Sequence, residues 1–141
     1  MTRLLFLPDD ETLVVLDSSL SATALADSVN QGQWTPPPPY DAGKAATLHA
    51  TRQGRTVIVT PHLPLDLADP TFDEVSRMLK PRQRQILLLL AHGLSNKEIA
   101  VHLGLHPRTV AMHIATLKAL FGASSRAQSI RKAVELGFFE E

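Results

Sequence analysis

The chain contains no cysteine, few aromatic residues and no long apolar run. Without cysteine, disulfide bonds, thiol chemistry and cysteine-ligated zinc are excluded. The longest apolar run, at residues 86–91, has six residues, whereas a membrane-spanning helix needs about 20. The apolar start is stopped by Pro8 and three acidic residues, which is not the pattern of a signal peptide. We therefore expect a cytoplasmic protein without a membrane partner.

The chain also has no net charge, but its charges are unevenly divided. Residues 1–75 carry four basic and ten acidic residues, a net charge of −6. Residues 76–141 carry ten basic and four acidic residues, a net charge of +6. This division indicates a basic surface for nucleic acid beside an acidic unit. Two ordinary solvated surfaces that offset each other explain it equally well.

Residue patterns that would support catalysis are missing from the sequence. We find no nucleophile–base pair, no phosphate-binding glycine loop and no isolated pair of carboxylates, and therefore expect neither an enzyme nor a cofactor. Six histidines are scattered along the chain. His102 and His106 have helical spacing, but Gly104 interrupts a helix between them. We expect no metal site.

The first 60 residues have the pattern of a small α+β unit. Short β-prone stretches are separated by turn residues, and Ser21 begins an amphipathic helical stretch. The strand candidates are residues 3–7, 12–16, 47–52 and 56–60. They predict two hairpins. A unit of this size is marginal alone, so it needs a partner copy or docking onto the second half.

Proline-rich segments separate the elements. Residues 31–43 contain Pro36 to Pro39 in a row, which favours polyproline II conformation. Residues 61–76 are predicted to be a linker with a short helix, because Thr71 and Glu74 have capping-box spacing.

Residues 77–138 have the pattern of an all-helical DNA-binding domain. Start signals occur at Pro81, Ser95, Pro107 and Ser125, and each predicted helix ends at a glycine. The predicted helices 95–103 and 107–121 are joined by a turn of three residues, which is a helix-turn-helix signature.

Specific strings in this region resemble the LuxR-type (GerE- or FixJ-type) helix-turn-helix domain. The main string is Gly93-Leu94-Ser95-Asn96-Lys97-Glu98-Ile99-Ala100. Further matches are Leu79 to Arg82, Leu103-Gly104, Arg108 to Val110, His113-Ile114 and Ser125 to Ala127. The resemblance implies a four-helix DNA-binding domain of a transcription regulator. It also implies a homodimer contact through the last helix, at Ile130, Ala133 and Val134.

The helix at 107–121 is the expected recognition helix. Val110, Ile114, Leu117 and Phe121 form one apolar stripe that is expected to face the core. The outward residues are then Arg108, Ala111, Met112, Ala115 and Lys118. Alanine stands at two positions where the family commonly has Lys or another polar residue, so this face has few hydrogen-bond donors.

Other polar residues lie at helix starts. Ser95, Asn96, Lys97 and Thr109 are candidates for phosphate contacts, and capping is the alternative role for Ser95 and Thr109. Lys80 and Gln83 replace the Thr and Glu of the family pattern, which puts two polar contacts of the family in doubt.

These observations predict an α+β protein that binds double-stranded DNA as a dimeric transcription regulator. Residues 1–60 are expected to sense a small-molecule or protein signal or to join subunits. The alternative is a protein-interaction module that keeps the helix-turn-helix fold without base readout.

Overall fold

The computed structural model describes residues 2–9, 11–36, 48–61 and 70–139. The strands are β1 (Thr2–Phe6), β2 (Val14–Ser18), β3 (Leu48–Gln53) and β4 (Thr56–Pro61). The helices are α1 (Ala22–Asn30), α2 (Phe72–Met78), α3 (Pro81–Ala91), α4 (Asn96–Leu103), α5 (Pro107–Phe121) and α6 (Arg126–Leu136). The fold is α+β, as the sequence predicts.

The strands form one sheet in the order β2-β1-β4-β3. Both predicted hairpins are antiparallel, and the two central strands, β1 and β4, pair in parallel. Because side chains alternate along a strand, the continuous apolar runs of β1 and β4 present apolar residues on both faces. The sheet therefore needs cover on both sides.

Helix α1 covers one face of the sheet. Ser21 caps α1 by accepting a hydrogen bond from the backbone N–H of Ala24. The buried residues of this layer are Leu4, Phe6, Leu25, Ala26, Val29, Ala50, Val57 and Val59. Asn30, at the end of α1, accepts a 2.9 Å bond from the backbone N–H of Ala50 in β3, which attaches the helix to the sheet.

The other face of the sheet packs on the C-terminal helices. Leu5, Leu7 and Ile58 are fully buried, and they belong to the same apolar cluster as Ile86, Leu90, Ile99, Val110, Leu117, Phe121 and Ile130. The sheet is thus a middle layer between α1 and the helical bundle. Of the two ways to stabilise so small a unit, docking onto the second half is the one this structure contains.

The predicted helix signals in the described residues have their expected roles. Thr71 and Glu74 form a reciprocal capping box, and Ser125 caps α6. In the first turn of α6, the side-chain oxygen of Gln128 also accepts a hydrogen bond from the backbone N–H of Ser124. The prolines at 37–39 and most of the predicted linker, residues 62–69, lie outside the described residues.

Gly93 lies where the sheet packs on the helical bundle. Its φ is +80°, and a Cβ atom there would lie 2.8 Å from Cδ1 of Leu5. We expect Gly93→Ala to lower the free energy of unfolding by about 2–4 kcal/mol, because left-handed strain and overpacking add. Urea denaturation measures the change.

Gly104→Ala is the matched control. Gly104 also has a positive φ, of +68°, but no atom within 4 Å of a built Cβ. Its expected cost is the backbone strain alone, about 1–2 kcal/mol. If the two variants lose the same free energy of unfolding, the side chain of Leu5 moves away from the new methyl group at no cost.

Candidate nucleic-acid interface

The start of α4 is held by a capping box. The backbone N–H of Glu98 donates to Oγ of Ser95 at 3.2 Å, and the backbone N–H of Ser95 donates to Oε1 of Glu98 at 3.0 Å. The hydrogen bonds that the Glu98 carboxylate accepts from Ser95, first from its backbone N–H, keep the pKa of Glu98 below its usual range. The box fixes the position of Lys97, which is exposed on the first turn.

Arg126 braces the same helix start from α6. Its Nη1 donates to the carbonyl oxygen of Leu94 at 2.9 Å, and its Nη2 donates to Oδ1 of Asn96. The guanidinium is half-buried, and burial lowers its pKa. Because arginine stays charged in proteins, Arg126 also places a positive charge beside the start of α4. The carboxamide oxygen of Asn96 is thereby engaged within the chain.

The turn between α4 and α5 orients the second helix. Gly104 ends α4 in the left-handed conformation. His106 caps α5, with its Nδ1 accepting a 3.1 Å bond from the backbone N–H of Arg108. Pro107 occupies the first helical position, which tolerates a residue without an N–H.

Helix α5 divides into a buried and an exposed face. Its apolar stripe, Val110, Ile114, Leu117 and Phe121, is buried, as the spacing predicts. Arg108, Ala111, Met112 and Ala115 are exposed, and Met112 is 66% exposed. The exposed face thus has one guanidinium near the helix start, followed by small or apolar side chains.

Two other predicted site residues on α5, Thr109 and Lys118, are less exposed than Arg108. Thr109 is half-buried beside the α5 start. Lys118 is half-buried in the last turn of α5, and ten residues of helix place it about 15 Å along the axis from Arg108. The structure does not bring Lys118 together with the residues near the helix start.

The expected dimer contact requires correction. Ile130 and Ala133 have no exposed area, and they pack inside the core of their own chain. Val134 is half-buried. Apolar i, i+3 spacing is the same for a core-facing stripe and an interface stripe, and here it fills the core. In this conformation Ile130 and Ala133 are not presented to a partner.

Gln83 keeps a capping contact despite the change from the family pattern. It is buried, and its Oε1 accepts a 3.0 Å bond from the backbone N–H of Lys80. An amide oxygen thus takes the acceptor role that a carboxylate has in a capping box.

The sheet contacts the domain at the turn that precedes α4. Arg3 Nη1 donates to the carbonyl oxygen of His92 at 2.9 Å. Oγ1 of Thr56 lies 2.6 Å from Nδ1 of the same histidine. Burial lowers the pKa of His92, and the charge of Arg3 lowers it further. The sequence contained no signal for these contacts, which join residues far apart in the chain.

Comparison with known proteins identifies the helical region. Residues 77–133 match the GerE model, described as bacterial regulatory proteins of the luxR family. This segment is a LuxR-family helix-turn-helix domain. The LuxR-family domain comprises α3 to α5 and most of α6, so its helix-turn-helix is the α4–α5 pair described above.

Three relatives illustrate the similarity. UhpA of Escherichia coli is 34% identical over 87 residues, 62% of this chain and 42% of UhpA. FixJ of Azorhizobium caulinodans is 41% identical over 59 residues, 42% of this chain and 28% of FixJ. An HTH-type transcriptional regulator of Mycobacterium bovis is 41% identical over 59 residues, 42% of this chain and 7% of that protein. The chain spans less than half the length of each.

The names of these relatives are those of transcriptional regulators, and the matched family is described as bacterial regulatory proteins. None of these descriptions names an enzymatic activity. In the part of the chain that the structure describes, no helix has the length and apolar character needed to cross a membrane.

The contact of His92 with the sheet predicts a pH dependence. Because the folded state lowers the pKa of His92 below its ordinary value of 6.5, the neutral ring is favoured on folding. This stabilisation is complete above pH 6.5 and is lost as the pH falls through the lower, folded-state pKa. We expect urea denaturation at pH 7.5 and 5.5 to show a smaller acid-induced loss of stability in His92→Gln than in the unchanged protein. Equal losses would contradict the prediction.

Proposed function

We propose that this protein is a DNA-binding transcription regulator that places α5 in the major groove. The observation that carries the proposal is the division of α5, which buries its apolar stripe in the LuxR-family domain and leaves Arg108 exposed near the helix start. In a helix-turn-helix, the N-terminal residues of the second helix contact base edges. Arg108 is the strongest hydrogen-bond donor on this face, because arginine bonds bidentately to guanine.

Backbone contacts supply much of the affinity in this proposal. Lys97 is exposed on the first turn of α4, and Ser95 and Thr109 lie at helix starts. Helix starts present free N–H groups to phosphates. Since Ala111 and Ala115 donate no hydrogen bonds, phosphate contacts outweigh base contacts, and binding is expected to weaken steeply with salt.

The regulator is proposed to act in the cytoplasm as a homodimer on an inverted repeat, with half-sites about one helical turn apart. We retain the proposed boundaries of 1–60 for the signal or dimerisation unit and 77–138 for the DNA-binding domain. A small molecule or a protein that binds the sheet would act on DNA binding through the shared core.

A second candidate function is a protein-interaction module. The exposed surface of Ala111, Met112 and Ala115 favours it, because small apolar residues beside an exposed methionine suit contact with another protein. The two functions differ in base readout, which the regulator requires and the protein-interaction module lacks.

Selection of duplexes from a random pool, with the full chain at near-physiological salt, tests the proposal. Enrichment of an inverted repeat is expected. Binding without enrichment would limit the function to backbone association. The absence of any binding would overturn the proposal in favour of the protein-interaction module.

Arg108→Ala is expected to relax one base position in each selected half-site and to weaken binding by about 1–3 kcal/mol. The matched control is Arg77→Ala in α2. Arg77 is exposed on α2. This helix begins two residues after Pro70, and Pro70 packs beside Gly122, at the end of α5 opposite Arg108. Unchanged base preference in Arg108→Ala would exclude Arg108 as a base contact.

A further inference from the structure

The β3–β4 hairpin is a basic segment within the acidic half of the chain. Residues 1–75 carry ten acidic residues, yet residues 48–61 contain two arginines and neither Asp nor Glu. The two arginines differ in their surroundings. Arg52 is half-buried and donates to Oγ1 of Thr23 in α1 at 2.6 Å. Arg55, in the hairpin turn, is exposed and has no hydrogen bond or ion pair with the described residues.

This hairpin turn lies against the turn between α3 and α4 of the LuxR-family domain. A Cβ built on Gly54 lies 3.7 Å from Cε1 of His92, and Thr56 lies 2.6 Å from Nδ1 of that ring. Arg55 is therefore flanked in sequence by Gly54, which lies beside the His92 ring, and by Thr56, which contacts it. His92 precedes Ser95, the N-cap of α4, by three residues, which is a Cα path of about 11 Å at most.

We propose that Arg55 binds a DNA backbone phosphate beside the half-site contacted by α5. This inference rests on the proposed function. The first helix of a helix-turn-helix crosses the DNA backbone, so the turn at 92–94 and the hairpin packed on it lie at the edge of the duplex. An exposed guanidinium matches phosphate in charge and in bidentate geometry.

A contact of this kind complements the exposed face of α5. Phosphate contacts position a protein on DNA without discriminating between sequences. Ala111 and Ala115 leave α5 with few donors, and Arg55 adds one from a different part of the fold. The sheet, although it lies in the acidic half of the chain, then extends the DNA-binding surface beyond the helical domain.

Salt-dependent binding of the full chain tests this assignment. A fluorescent duplex carrying the selected site, and a scrambled duplex, are titrated by anisotropy at several salt concentrations. Arg55→Gln is expected to weaken binding several-fold on both duplexes and to reduce the slope of log K against log salt by about 0.9. Arg55→Lys is expected to retain most of the slope, because its charge remains.

Arg52→Gln is the matched control. It removes the same charge from the same hairpin, at a side chain bonded to α1, and is expected to leave the slope unchanged. Thermal unfolding establishes that each variant is folded under the assay conditions. A normal slope and affinity in Arg55→Gln, or equal losses in Arg52→Gln, would overturn the contact while leaving the proposed function intact. Failure of the unchanged protein to bind any duplex would overturn both.

Discussion

The packing of the sheet on the helical bundle is the contact on which the rest of the structure depends. Leu5, Leu7 and Ile58 bury their side chains among the helices, and each fully buried aliphatic side chain contributes roughly 1.5–3 kcal/mol. A four-stranded sheet with one helix buries a small core and is marginally stable alone. The same contact places Arg3 and Thr56 on His92, directly before the helix-turn-helix.

Local hydrogen bonding then determines the geometry of the interface. The Ser95–Glu98 box and the Arg126 brace hold the start of α4 from two directions. His106 and Pro107 begin α5 after a short turn. Most of these bonds are made with backbone atoms, and together they fix the directions in which the exposed side chains of α4 and α5 leave the domain.

The sequence predicted the elements whose signals are local. Capping residues and glycines located the helices to within about one residue, and apolar spacing separated the two faces of α5. It did not predict the parallel pairing of β1 with β4, because that pairing joins segments about 50 residues apart and has no local signature. Ile130 and Ala133 were assigned to a partner by resemblance to the family, whereas here they are buried in the core of their own chain. The brace by Arg126 was missed because it joins residues about 30 positions apart in the chain.

The fit at Gly93 limits how freely the LuxR-family domain can be joined to a different N-terminal unit. Here the glycine of the helical domain accommodates both a left-handed turn and the nearby side chains of Leu5 and Val15, which come from the other half of the chain. A helical domain transplanted onto another N-terminal unit would lose this fitted surface and expose apolar side chains that the sheet covers. Conversely, if this sheet were joined to another helical domain, that domain would need a glycine in a short turn at the position of Gly93. We therefore expect a sequence change on one side of the contact between the sheet and the helical domain to be accompanied by a compensating change on the other side.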